Sequence, residues 1–227
     1  LQSVYELSIQ PLTELQSLAL QYFTSFTLIK TAFVVANHFL SSRNKTLYRL
    51  DKMIINMLRL SCRIGPLSSL LFLGVYYHRT NRYKIAKHIS DLCLKRFSQP
   101  FVLFNDFNDK KFYLKTMGSY LVSDRMRKTW IDLMLCLGPH DYLTELHLKH
   151  TLCKGNDSRL LISPFVLVHM LCVLSNYKLG NMTQCLETVT ELQGLLLYDD
   201  ERYVDLQSRD ISWQILGICQ HVVGDLN

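Results

Sequence analysis

The sequence predicts an all-α protein built from helical hairpins, and three observations carry that expectation. Apolar residues recur at helical spacing along nearly all of the 227 residues. Only nine Gly and five Pro are present, too few, with a scarcity of Asn-Gly turns, for a β-sandwich. A helical-hairpin pattern also recurs along the chain. The 48% hydrophobic content excludes disorder, and the length suits one large domain or two small ones. Twenty-five Lys plus Arg against nineteen Asp plus Glu leave +6, mildly basic and far from a histone-like composition.

Taken in order, Thr13-Glu14-Leu15-Gln16 reads as a capping box and predicts a helix running towards Leu40. Ser41-Ser42-Arg43-Asn44 breaks it. A second helix is expected from Leu47 to Arg63, with apolar residues at Leu47, Leu50, Ile54, Ile55, Leu58 and Cys62. Gly65-Pro66, Gly138-Pro139 (before Tyr142) and Ser163-Pro164 each read as a helix start, with Pro where no amide partner is lost. Ser123-Asp124 is expected to cap a helix holding Met126, Trp130, Ile131, Met134 and Leu135. Residues 98–109 and 199–208 look irregular, yet neither stretch is long or polar enough for a flexible interdomain linker. The expected organisation is an N-terminal helical pair over residues 1–64, packed on one continuous array over 65–227.

The array carries a repeat signal. Leu70-x2-Leu73-Gly74-x2-Tyr77 leads through a turn at Asn81-Arg82-Tyr83 to Ala86, although Ser90 stands where an aromatic is usual. Trp213-x2-Leu216-Gly217 leads to a turn at Gly224-Asp225-Leu226. Between them, Phe165 to Leu179, Gly180-Asn181 and Met182 to Leu197 read as helix, turn and helix, with Cys185 in the Ala position. This pattern resembles the tetratricopeptide unit of about 34 residues, with W-x2-L-G-x2-Y in its first helix and A-x3-F in its second. Large residues fill the groove between paired helices, Gly lets the second helix approach, and Ala sits at the crossing. Leu73, Gly74, Tyr77, Ala86, Gly180, Trp213, Leu216 and Gly217 are therefore read as repeat-packing residues. The turns at 81 and 180 lie 99 residues apart, close to three repeats, which predicts degenerate hairpins over 101–164. The next gap, 44, exceeds one repeat, with the excess in the loop at 199–208. The sequence stops at Asn227, directly after the third turn, so that unit lacks its second helix. The fold expected is a tetratricopeptide-like helical-hairpin solenoid, irregular in the middle and truncated at the C-terminus, with an apolar stripe uncovered.

Cys62, Cys93, Cys136, Cys153, Cys172, Cys185 and Cys219 are odd in number, form no C-x-x-C pair and sit mostly in apolar runs. Such usage suits reduced thiols of a cytoplasmic protein. No signal peptide is apparent. Leu18 to Leu40 is the membrane-like stretch, but with Gln21, Lys30, Asn37 and His38 inside it a buried helix is expected and no membrane span.

The candidates for chemistry weigh against an enzyme. His140, His147, His150 and Cys153 offer zinc ligand types, yet surface histidines and one buried thiol explain them better. Cys172 with His169, and Cys219 with His221, are near only in sequence. No Gly-rich phosphate loop occurs, and Asp199, Asp200 and Glu201 read as a solvated face. No catalytic residue, metal or cofactor is expected. The basic clusters carry more weight: Lys84, Lys87 and His88, then Lys95 and Arg96, then Lys110-Lys111, then Arg125, Arg127 and Lys128. Of these, Lys84, Lys87, Arg125, Arg127 and Lys128 are the candidate phosphate or nucleic-acid contacts. Tyr76, Tyr77, Tyr83, Phe112 and Tyr113 would be stacking partners if exposed. A solvated helix face is the simpler explanation of these clusters.

A family resemblance rests on three runs: Leu160-Leu161-Ile162-Ser163-Pro164-Phe165, then Leu195-Leu196-Leu197-Tyr198-Asp199-Asp200-x-Arg202-Tyr203-Val204, then Asp210 to Gln220 through Trp213 and Gly217. Together they resemble the C-terminal helical extension of invertebrate male-abnormal-twenty-one-like proteins, from about Leu47 to the C-terminus. That resemblance implies a cyclic GMP-AMP synthase-like nucleotidyltransferase fold upstream and a link to innate immunity. The Gly-Ser turn and acidic triad of such an enzyme have no match in this chain, nor has the zinc cluster of the vertebrate synthase, so no catalytic residue carries over.

The expected function is a non-catalytic helical-repeat scaffold. Its groove would take a protein or peptide partner, read by polar residues such as Asn176, Gln184 and Arg79, or would serve self-association. The alternative, from a different class, is a sensing domain that binds nucleic acid or a nucleotide through basic helix faces.

Overall fold

The computed structural model describes residues 13–39, 46–99, 102, 115–132, 134–138, 143–146, 160–199 and 203–224. These are mostly helical. Their elements are α1 (Glu14–Phe39), α2 (Thr46–Ile64), α3 (Ser69–Arg79), α4 (Tyr83–Phe97), α5 (Val122–Thr129), β1 (Leu135–Leu137), β2 (Leu160–Ile162), α6 (Pro164–Lys178), α7 (Met182–Tyr198) and α8 (Leu206–Gly224).

The capping box forms as its spacing predicts. The Gln16 amide donates to Thr13 Oγ1 at 3.3 Å, and the Thr13 amide donates to Gln16 Oε1 at 2.9 Å. α1 then packs along α2, burying Leu28, Ile29, Ala32, Phe33 and Ala36 with Ile54 and Leu58. Residues 14–38 are long and apolar enough to cross a membrane, and 28% of the most apolar window is buried. The sequence led us to expect a buried helix; α1 instead buries one side and exposes Leu15, Phe23 and Phe26 on the other.

α3 opens at Ser69, not at Pro66 as the Gly-Pro pair suggested. Pro66 to Ser68 form a tighter turn, in which the amides of Ser69 and Leu71 donate to the carbonyls of Pro66 and Ser68. The Leu67 amide reaches away from that turn to the Trp130 carbonyl at 2.8 Å, fixing the end of α5 to the start of α3. α6 starts where the sequence places it. Ser163 Oγ accepts the Phe165 amide at 3.3 Å, Pro164 occupies the first turn, and the same hydroxyl donates to the Tyr203 carbonyl at 2.7 Å.

The hairpins α3–α4 and α6–α7 share one turn geometry. α3 ends through Asn81 at φ +60°, and α6 ends through Gly180 at φ +77°, 99 residues later. In the first turn the Arg82 amide donates to the Tyr77 carbonyl and the Asn81 amide to the His78 carbonyl; in the second, Asn181 donates to Asn176 and Gly180 to Tyr177. Both are Schellman endings, which need a left-handed residue that Gly supplies freely and Asn tolerates. Ala86 and Cys185, each five residues past that residue, are fully buried where the second helix crosses the first.

These two hairpins are neighbours. α4 packs directly on α6, with the Phe97 and Phe165 ring centroids 5.3 Å apart, and Gly74 of α3 also meets α6. Much of 101–164, where degenerate hairpins are expected, lies outside the described residues. The helix expected through Leu135 is corrected. α5 begins at Val122 with Leu121 at its cap position, and it stops at Thr129 because Trp130 adopts extended backbone. Residues 135–137 then pair antiparallel with 160–162, Leu135 opposite Ile162 and Leu137 opposite Leu160. Burial alternates along both strands, the period of two that a short apolar run leaves open in sequence. Pro139 and Tyr142, the basic pair Lys110-Lys111, the histidines of the zinc candidate and Cys153 lie outside the described residues.

One core runs from Phe33 through α3, α4 and α6 to Val223. α6 lies inside it, with Pro164 to Asn176 all buried. α8 packs on both α6 and α7.

Candidate functional site

The residues read as repeat-packing fall into two groups. Leu73, Tyr77 and Ala86 are buried, and Gly74 sits at a close approach: a Cβ there would come 2.7 Å from Leu171 Cδ2 and 3.3 Å from Ile89 Cγ2. Gly180 makes the turn described above. On α8, Leu216 is buried, whereas Trp213 is 40% exposed and a Cβ on Gly217 would meet nothing within 4 Å. Gly217 thus makes no close helix approach of the kind expected for it, and Trp213 is part-exposed.

Polar residues proposed for a groove are mostly engaged inside the fold. Arg79 donates to Asn37 Oδ1 at 2.6 Å and lies over the Phe33 ring. Asn176 is buried, its side-chain oxygen accepting from Asn181 at 3.3 Å. Gln184 is exposed. Tyr76 and Tyr77 are buried, so they pack and offer no open stacking face. The Tyr76 hydroxyl donates to Asp51 at 2.7 Å, and Arg82 grips the same carboxylate with two nitrogens at 2.5 and 3.1 Å. Burial would raise the Asp51 pKa, but the hydrogen bonds from Arg82 and Tyr76 and the Arg82 charge outweigh it and hold the carboxyl below its ordinary range. This pair ties α2 to the α3–α4 turn.

The basic clusters separate in space. Lys84 is exposed on the first turn of α4, and Lys87 pairs with Asp91 at 2.7 Å. Arg125 has a buried Nε with no hydrogen-bond partner among the described residues. Arg127 and Lys128, in contrast, face a cleft of about 600 Å³. Arg63, from the last turn of α2, and Arg96, from the last turn of α4, face the same space. Gln99 and Cys62, with Met117 and Tyr120 from the segment before α5, complete the lining. The Lys128 ammonium lies 3.6 Å from the Tyr120 ring centre, and Arg127 pairs with Asp124 at 2.7 Å. Arg63 and Arg96 are exposed and have no carboxylate within ion-pair distance among the described residues.

Sequence reasoning grouped Arg127 with Lys128, and Arg96 with Lys95, but it missed Arg63. The available signal was its position: a cation at a helix C-terminus, as Arg96 also is. Cations there offset the negative end of the helix dipole, so part of the cluster has a structural role. The magnitudes still leave an excess. Three C-termini of about half a charge each, with Asp124, offset only part of the four cations.

The remaining reactive groups are internal. Six free thiols are described. Burial pushes Cys62, Cys172 and Cys219 up to about 12 and raises Cys93 further, so all four are protonated at neutral pH. His169 turns Nδ1 to the Phe165 carbonyl at 2.6 Å, not to Cys172. Among the described residues no group of three or more His, Cys, Asp or Glu is placed to hold a metal. A second, smaller cavity of about 80 Å³ lies between α1, α3 and the chain after α5, beside the part-buried Asp132. Tyr22 donates to that carboxylate at 3.1 Å and Ser68 also contacts it.

Comparison with family models, with curated proteins and with solved structures finds no match for the chain.

Proposed function

We propose that the chain is a non-catalytic helical-hairpin scaffold of the tetratricopeptide-like class, an accessory region of a protein whose catalytic fold is nucleotidyltransferase-like and of innate-immune type. The observation that carries the scaffold reading is the pair of hairpins with one turn geometry, Asn81 in one and Gly180 in the other, stacked as neighbours. Stacked hairpins give extended surfaces suited to a peptide, a partner helix or a second copy of the chain. Leu186, Leu197 and Trp213, large apolar residues exposed on α7 and α8, are the contact positions this reading assigns. Free thiols support a cytoplasmic setting. The accessory role rests on the resemblance of residues 160–165, 195–204 and 210–220.

Random-peptide display on the intact chain tests the scaffold. Sequence-related peptides should be enriched, bind saturably, and lose binding on Leu197→Asp or Trp213→Asp. Enrichment no greater than on an unrelated helical protein would remove this reading.

A second reading, phosphate recognition through basic helix faces, is favoured by one observation. Arg63, Arg96, Arg127 and Lys128 come from three separate elements and line one concavity.

A further inference from the structure

We propose that the cleft between the C-terminal ends of α2, α4 and α5 is a binding site for a compact oligophosphate group, such as the phosphate chain of a nucleoside triphosphate. This inference rests on the second reading above and narrows it to one ligand class. Three features argue for an anion. Four cationic side chains surround one space, and one carboxylate, Asp124, pairs with one of them. After the helix dipoles are subtracted at about half a charge each, about one and a half positive charges remain. Cys62, the lining group that might have supplied a negative charge, stays a neutral thiol because burial dominates its ionisation, and its sulfur faces the Ser69 carbonyl at 3.5 Å.

The shape argues for a small ligand. A volume of about 600 Å³ lies in the range of small-molecule sites, roughly 300 to 1,000 Å³. A duplex presents its phosphates along a convex backbone, one charge per about 1.7 Å of axis, and needs an open track of cations to match. Here the exposed track is interrupted: Lys87 is held by Asp91, and Arg125 turns its Nε inside. The cations left to bind converge inward. Arg63 and Arg96 offer planar forks that match two oxygens of one phosphate, while Lys128, placed over Tyr120, adds a point charge. Gln99 already donates to the Lys95 carbonyl at 2.9 Å, which holds its side chain at the rim.

Calorimetric titration of the intact chain tests the inference, with inorganic tripolyphosphate, adenosine triphosphate and an RNA duplex as probes, each at low and near-physiological salt. Tripolyphosphate should bind at one site per chain, and Arg63→Gln and Arg96→Gln should each weaken it roughly tenfold, the effect of losing one charge-assisted contact. Lys84→Gln, on the same helix as Arg96 but away from the cleft, should leave it within about twofold. Circular dichroism and the melting midpoint should match the parent for all three variants, because these side chains are exposed. Equal affinity for tripolyphosphate and adenosine triphosphate assigns the phosphate chain as the recognised group, and tighter binding of the nucleotide adds a nucleoside contact to it. Duplex binding without tripolyphosphate binding would overturn the inference and leave the second reading standing. No binding by any probe, or binding indifferent to Arg63 and Arg96, would overturn both.

Discussion

His78 occupies a site where protonation works against folding. It lies buried in α3, with Nδ1 3.3 Å from Ser175 Oγ, its ring against Tyr83, and Glu145 at the edge of ion-pair range, 4.0 Å away. Burial, helped by the Lys178 charge, lowers its pKa from 6.5 to about 4. The unfolded chain therefore binds the extra proton first. Stability from this residue is complete above about pH 6.5 and is lost as pH falls towards 4, on the order of 3 kcal/mol in all. His169, lowered mainly by burial, acts in the same direction. Asp132 acts oppositely: burial outweighs its hydrogen bonds from Ser68 and Tyr22 and raises its pKa, so its contribution declines as pH rises through the carboxylate range. Urea unfolding at stepped pH should show stability dropping between pH 6.5 and 4 in the parent, and a shallower drop in His78→Gln. An unchanged slope in that variant would remove His78 as the cause. None of this was legible in sequence, where His78 looks like any histidine near a helix end; its environment comes from α6 and from residues 143–146.

At the scale of elements, glycine discriminates helices that touch from helices that do not. Gly74 and Gly217 hold the same place in their sequence motifs, each directly after a Leu. A methyl at Gly74 would press on Leu171 and Ile89, whereas one at Gly217 meets open space. Gly74→Ala should therefore cost about 1–3 kcal/mol through overpacking, and Gly217→Ala should gain about 0.5–1 kcal/mol of helix propensity. Denaturant midpoints of the two variants check both signs; equal shifts would mean that the α3–α6 approach is looser than described. The sequence showed the Leu-Gly pairs, the caps at Thr13 and Ser163 and both hairpin turns, because each depends on residues a few positions apart. It misplaced α5 and β1. Trp130 to Leu137 is a short apolar run that fits either period, and only pairing with Leu160 to Ile162 decides it. Arg63 was missed for a similar reason, since the other cations of the cleft lie more than thirty residues away in sequence.

The molecule as a whole is organised around α6, whose thirteen residues from Pro164 to Asn176 are all buried against α3, α4, α7 and α8. Its amides should exchange last in a hydrogen-exchange experiment, near the rate of global unfolding, while those of α1, half exposed along its length, exchange sooner. Exchange from α6 as fast as from α1 would mean that the hairpins open separately. The two hairpins meet directly although a gap near three repeat lengths separates their turns in sequence. That order of elements has a consequence for biosynthesis. In a contiguous array each hairpin is covered by the next one to emerge from the ribosome. Here Phe97 at the end of α4 meets its ring partner Phe165 only once the start of α6 has emerged. Apolar surface exposed for that interval is prone to wrong association, which makes the face of α4 the natural place for a chaperone to act as temporary cover.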